Sequence, residues 1–252
     1  MSIVLKENEW AEQMIKCRSL GKKPSETLRR VCRYYIDNGC VEKELLPRLE
    51  VFLIRCDPMV SLPKWHNTLV NIIKASQKFK AVDIDSIKIY NAELDVIESL
   101  DSAPKRRLAF SLLCLAKYWN IVRNVDDGWV NSKTNEIMAM ANISASLVRQ
   151  GAMFRSLRDE GLIQFSKKVD NTNVKVDFIN ETGDIAIEID DFRNLGYQYA
   201  MYYGGPYMKC QNCGIVTRIK NPKNNRGQKY CPDCAVKVHI RQTIESTMRR
   251  RK

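Results

Sequence analysis

Histidine is nearly absent: the chain has two, His66 and His239. Neither stands beside a serine, cysteine or carboxylate phrase of a nucleophilic type, so a histidine-based hydrolytic centre is not expected. The phosphate-cradling loop G-x-x-x-x-G-K is missing as well, which argues against nucleotide hydrolysis of the P-loop kind. Long hydrophobic runs are lacking. The longest, Leu108 to Ala116, is interrupted by Ser111 and reaches about half of the roughly 20 residues that span a bilayer. Lys6, Glu7 and Glu9 precede any apolar block, unlike the basic start and apolar centre of a secretory signal, so a cytoplasmic location is expected. There is no internal repeat and no low-complexity tract.

What remains is a chain of 252 residues, 44% hydrophobic and 28% charged, near the averages for globular proteins. Wholesale disorder, collagen and coiled coil are excluded by that balance. Charge of one sign is unevenly spread: the net charge is +12, and residues 201–252 hold twelve Lys and Arg against Asp233 and Glu245. Ten of the twelve excess charges therefore sit in the last fifth of the chain, as expected of a nucleic-acid-binding segment on a near-neutral body. A merely solubilising tail is the competing reading.

Nine cysteines divide into two groups. Cys17, Cys32, Cys40, Cys56 and Cys114 are scattered through helical pattern and read as buried reduced thiols. Cys210, Cys213, Cys231 and Cys234 instead form C-x2-C-x17-C-x2-C, the spacing of a zinc site. Two such turns close a tetrahedron and leave no position for water, so the expected cofactor is a structural Zn2+. Redox-active C-x-x-C pairs are the alternative. His239 reads as a surface histidine on the helix that follows.

Between the knuckles, Ile215 to Ile219 suits a strand and Asn221 to Gly227 a turn with a basic tip. After Cys234, Val236, Ile240, Ile244 and Met248 make a stripe at helical spacing, flanked by Lys237 and Arg241. Residues 208–252 resemble the zinc-ribbon tails, with a basic helix, of phage and mobile-element proteins. Ribbons of this kind bind DNA, RNA and proteins alike, so the likeness implies a metal and leaves the partner open.

Apolar periodicity predicts helices over 8–20, 25–38, 41–55, 62–79, 91–100 and 105–121, with Pro47 breaking or bending the third and Ser25 capping the second. Ile87 to Tyr90 reads as a short extended piece. A helix starting at Ser132, another capped by Ser144 and ending near Gly161, and two strands over 162–166 and 173–178 follow. That order, closing on Arg155-Ser-Leu-Arg-Asp-Glu-Gly-Leu-Ile163, resembles a winged helix-turn-helix of the kind found in DNA-binding regulators and phage replication proteins. The expected fold class is mainly α (α+β): a helical region 1–103, a winged-helix domain 104–196 and a zinc ribbon 197–252.

The resemblance puts Leu147, Phe154 and Leu157 in the core and leaves Arg149, Gln150, Arg155 and Arg158 for groove and phosphates, Arg158 being close to Asp159 and Glu160. The candidate nucleic-acid residues are Arg149, Gln150, Arg155, Lys167, Lys168, Arg218, Lys220, Lys223, Arg226, Lys229, Lys237, Arg241, Arg249, Arg250 and Arg251. Tyr197, Tyr199, Tyr202, Tyr203 and Tyr207 either stack on bases, which favours RNA, or join the ribbon to the preceding module. Acidic residues cluster at Asp126-Asp127 and at Glu188, Asp190 and Asp191; a magnesium nuclease is the catalytic reading, and the wet face of a strand carrying Ile185, Ile187 and Ile189 the structural one. No enzyme is expected. DNA is the preferred partner, with docking on a host nuclease or RNA polymerase as the competing function.

Overall fold

The computed structural model describes residues 3–167, 173–220 and 227–250. The chain forms two compact units, Met1–Ser86 and Ile87–Lys252. Residues 87–100, grouped by sequence with the N-terminal helices, belong with the second unit. The boundary lies earlier than 103 because Ile87–Tyr90 pairs with a strand a hundred residues later.

The first unit is four helices: α1 (Glu7–Cys17), α2 (Pro24–Asp37), α3 (Glu42–Cys56) and α4 (Leu62–Ser76). Pro24 takes the first position of α2, where its fixed φ suits the helix and its missing N–H would be unpaired anyway, so Ser25 is not the cap. Pro47 does not break α3. It removes only the bond to the carbonyl of Lys43, and Lys43 is exposed, so water takes the place of that donor. Leu28, Val31, Leu45, Leu49, Leu53 and Leu69 are fully buried at the centre. Of the scattered thiols only Cys32 and Cys114 are buried; Cys40 and Cys56 are half-buried and Cys17 is exposed.

A charge also lies inside this unit. Glu7, 3% exposed, accepts hydrogen bonds from Arg30 Nε at 3.1 Å, Arg33 Nη2 at 2.7 Å and the backbone N–H of Val82 at 3.2 Å. Buried ions are tolerated when paired and hydrogen-bonded, and removing one partner strands the other.

The second unit is built around α6 (Ala103–Arg123), whose residues 108–118 are all buried. Leu108, Leu112 and Leu115 are therefore part of a helix surrounded on every side, not of one apolar stripe. Against it pack α5 (Asn91–Glu98), the antiparallel pair β1 (Ile87–Tyr90) and β5 (Ile185–Ile189), and α9 (Leu195–Tyr202). The buried Lys117 ammonium meets Glu93 at 2.9 Å and Glu181 at 3.2 Å. Following α6 come β2 (Trp129–Val130), α7 (Thr134–Met140), α8 (Leu147–Asp159), β3 (Ile163–Phe165) and β4 (Val174–Val176). The three strands form one antiparallel sheet in the order β2-β4-β3. The cap of α8 is Ser146, whose hydroxyl accepts from the Arg149 N–H, and the helix before it begins at Thr134 instead of Ser132. The chain closes with the hairpin β6 (Tyr207–Lys209) and β7 (Val216–Arg218) and the helix α10 (Pro232–Arg250). The protein is mainly helical, with small sheets, and among the described residues no helix is long and apolar enough to cross a membrane.

Glu7→Ala is expected to destabilise the first unit by about 3–5 kcal/mol, because two arginines are left buried without their anion. Urea unfolding of the variant checks this. Glu12→Ala, which breaks only the exposed pair with Lys16, should leave the midpoint nearly unchanged.

Candidate metal centre and cationic surface

The hairpin β6/β7 and the first turn of α10 bring four cysteines together. The sulfurs of Cys210, Cys213, Cys231 and Cys234 all lie within 4.8 Å of one another, and three of the four residues are buried. Cys213 Sγ and Cys231 Sγ are 3.7 Å apart. A tetrahedron of thiolates about 2.3 Å from a metal has edges of about 3.8 Å, so the cluster has the right size for one ion. Gly214 follows the first knuckle at φ +74°, a conformation that the turn requires and that side chains resist.

The surrounding polar groups prepare the sulfurs for a cation. The Cys231 N–H donates to Cys210 Sγ at 3.2 Å, and Asn212 Nδ2 donates to Cys234 Sγ at 3.2 Å. Burial opposes ionisation of Cys210, but the backbone N–H groups of Cys231, Cys213 and Asn212 win and bring its thiol down to about 6. Burial pushes Cys213 up to about 12 and raises Cys231 as well. Cys210 is thus the readiest of these to carry charge, and a positive ion among the sulfurs would favour the thiolates of Cys213 and Cys231 as well.

The hairpin is fixed to the second unit by two asparagines and an arginine. Asn142, at φ +54°, ends α7, and Asn194, at φ +57°, precedes α9. Asn142 Nδ2 donates to Asn194 Oδ1 at 2.9 Å, Asn194 Nδ2 donates to the Val216 carbonyl at 2.9 Å, and Asn142 Oδ1 accepts from the Tyr197 N–H at 3.0 Å. Arg193 Nη2 donates to the Cys213 carbonyl at 2.7 Å, beside the knuckle itself. Tyr197 stacks on Tyr207 with centroids 4.7 Å apart, and Tyr199 lies against Phe110 of α6 at 5.2 Å. These three tyrosines join ribbon and body; Tyr202 and Tyr203 remain about half-exposed.

The cationic residues fall into two classes. Among the described residues, Arg149, Arg155, Lys167, Arg218, Lys220, Lys229, Lys237, Arg241 and Arg249 are exposed and make no ion pair. Gln150 is half-buried and donates to the Ala145 carbonyl at 2.8 Å, which withdraws its amide nitrogen from a groove. Arg158 pairs with Asp159 at 2.7 Å and lies over the Phe165 ring at 5.5 Å, so it is an internal partner. Lys168, Lys223, Arg226 and Arg251 lie outside the described residues, as does the side chain of Arg250. On α10 almost everything beyond Cys234 is exposed, including Val236, Ile240, Ile244, Met248 and His239.

One placement corrects the sequence reading. Phe154 and Leu157 are buried, but Leu147 is 83% exposed, with Val148 beside it at 77%. Leu147 is the first residue of α8, where the helix has only just left its Ser146 cap and has no neighbour to cover it. The acidic clusters are also engaged: Asp127 with Arg123 at 2.8 Å, Asp190 with Lys209 at 2.9 Å and Asp191 with Arg193 at 2.6 Å. Sequence reasoning missed the Asn142–Asn194 clasp, because two amides fifty residues apart leave no periodic signal.

Comparison with known proteins finds no family model, no curated protein and no solved structure that matches this chain.

Two measurements test the centre. One metal ion per chain is expected, and either chelation or Cys213→Ser should melt α10 and the hairpin while α1–α4 stay folded, as read by amide exchange. Gly196→Ala should destabilise the second unit by about 1–3 kcal/mol, since a Cβ there runs into the Ala141 carbonyl that α9 packs against.

Proposed function

We propose that this chain is a non-catalytic nucleic-acid-binding protein, acting on duplex DNA, in which a structural zinc ion orders a cationic ribbon beside a winged helix. The observation that carries the reading is the segregation of the cations. Several cations of the body are neutralised, the most buried among them: Arg30 and Arg33 by Glu7, Lys117 by Glu93, and Lys105 by Asp101 and Glu160. On α8 and the ribbon, Arg149, Arg155, Arg218, Lys220, Lys229, Lys237, Arg241 and Arg249 are exposed with no acidic partner among the described residues, while Arg158 and Lys209 are paired. Exposed charges without internal partners are what a phosphate backbone requires, and they repel one another until it is supplied.

Zinc is the metal of this proposal because four thiolates in a closed tetrahedron suit it and leave it no catalytic position. Bound there, it supplies the folding energy of a short polar segment. The winged-helix part is supported by the succession α6, β2, α7, α8, β3, β4 and by the strand order β2-β4-β3, which places a hairpin beside α8. Arg149 at the start of α8 is then the residue nearest base edges, with Arg155 and Lys167 toward the backbone. The resemblance to phage and mobile-element proteins, and with it a cytoplasmic setting, belongs to this same proposal.

One observation favours a second reading, docking on a host nuclease or polymerase. Leu147 and Val148 present apolar surface at the end of α8 that would face the bases, and Phe165 is 38% exposed nearby in sequence on the hairpin. Such residues suit a protein pocket as well as thymine methyl groups.

Titration of labelled duplex against salt separates the two. If roughly six phosphates are neutralised, log affinity should fall against log salt with a slope near −5, and Lys237→Ala with Arg241→Ala should reduce that slope by about two. Affinity indifferent to salt, or unchanged in the double variant, excludes duplex binding through α10 and leaves protein docking. Competition by single-stranded RNA instead of duplex would assign the ribbon to RNA.

A further inference from the structure

The second unit contains a cavity of about 570 Å³ that none of the proposed nucleic-acid contacts touches. Its walls come from three helices and the ribbon. Glu98 ends α5, Arg106 and Arg107 stand on α6 near its N-terminus, Tyr199 and Tyr203 belong to α9 and its C-cap, and Tyr207 begins β6. The volume is in the range that holds a small organic ligand.

The charges in this cavity are unsatisfied in a particular way. Arg106 donates its Nε to the Leu100 carbonyl at 2.8 Å, and no carboxylate among the described residues pairs with its guanidinium. Arg107 Nε is buried with no hydrogen-bond partner among the described residues. Among the described residues the fully buried Arg30 and Lys117 have their anions in Glu7 and Glu93, whereas the half-buried Arg106 and Arg107 have none. Both arginines line this cavity, and each guanidinium is a planar fork of donors suited to an oxyanion.

The opposite wall is aromatic. Tyr199 and Tyr203 rings are 4.8 Å apart and tilted by 55°, and Tyr207 is held by its stack on Tyr197. Glu98, the one acid of the cavity lining, is hydrogen-bonded to the Tyr203 hydroxyl, and burial together with that carboxylate raises the phenol above its usual range. Glu98 thus fixes a tyrosine ring, which stays 43% exposed as a stacking surface.

We propose that this cavity binds a nucleoside 5′-phosphate, its phosphate held by Arg106 and Arg107 and its base stacked on Tyr203 and Tyr207. The ligand is either a free nucleotide or the 5′-phosphorylated end of a strand. An anion alone would leave the aromatic wall unused, and an uncharged ring would leave Arg107 unpartnered. The proposal does not depend on the duplex reading, because the two rest on different residues.

Calorimetric titration of the full, metal-loaded chain with AMP, adenosine and inorganic phosphate tests it directly. AMP should bind at least about tenfold more tightly than either adenosine or phosphate, the worth of one charge-assisted contact or one stacked base. Arg106→Lys and Arg107→Lys keep the charge but lose the fork, and each should weaken AMP about tenfold at an unchanged melting temperature; Tyr203→Ala should weaken it about fivefold or more. A 5′-phosphorylated oligonucleotide that displaces AMP when its 5′-hydroxyl twin does not identifies a strand end; displacement by neither identifies the free nucleotide. AMP no tighter than its parts, or indifferent to Arg107→Lys, overturns the proposal, while the salt slope of duplex binding reports separately on α10.

Discussion

Four sulfur atoms within 4.8 Å of one another are an arrangement that a polypeptide holds only with help. Ionised, they repel; protonated, they are a poor core for a segment whose buried residues are little more than the cysteines themselves, with Ile215 and Tyr230 packed alongside. A cation resolves both difficulties, and the direction of every residue after Cys234 then follows. Cys234 lies in the first turn of α10, so a metal held by the cluster would fix that turn, and the helix carries Lys237, Arg241 and Arg249 outward from it. At its other edge the centre reaches the body through Arg193, whose guanidinium binds the Cys213 carbonyl.

The same electrostatic reasoning divides the rest of the molecule. Glu7 with Arg30 and Arg33, and Lys117 with Glu93 and Glu181, are buried groups in which each charge has a partner. Such clusters add little net stability over apolar packing, yet they fix which helices meet, since any other pairing strands a charge. Exposed cations on α8 and the ribbon obey no such constraint. A net charge of +12 is therefore not a property of the whole surface: ten of those charges fall in residues 201–252.

Much of this was readable from the residues, and the physical reason differs by element. The cysteine spacing found the metal centre because a knuckle is local: two residues between thiols force both toward one point. Helices α2 and α3 were legible because their apolar periodicity is long, and α6 because its apolar run, Leu108 to Ala116, is the longest in the chain. What failed was short or non-local. The strand β2, two residues long, has no pattern to detect, and its existence depends on Val174 and Lys175 pairing with it from across the unit. Leu147 was assigned to the core from hydrophobicity alone, whereas its position at the first turn of α8 decides its exposure. The Asn142–Asn194 clasp and the meeting of Arg106, Arg107 and Tyr203 at one cavity are invisible in sequence for a related reason. Each is made of residues whose neighbours are set by the packing of α6 and α9, and neither repeats.

The last helix shows how the centre and the surface depend on each other. Beyond Cys234, α10 has no described residue packed deeply against it, and Val236, Ile240, Ile244 and Met248 are each at least half-exposed. Most helices in folded proteins owe their stability to an apolar face that packs, because isolated segments of this length are marginal in water. This one has the cysteine cluster at its first turn as nucleus, with Asp233 favourably placed in that turn. Propagation beyond it works against the mutual repulsion of Lys237 and Arg241, one turn apart on the helix. A polyanion bound along that side removes the repulsion and rewards the helix for forming. Under the proposed function, binding and ordering of α10 would be one event, nucleated by a metal in the cysteine cluster and completed by the phosphate backbone.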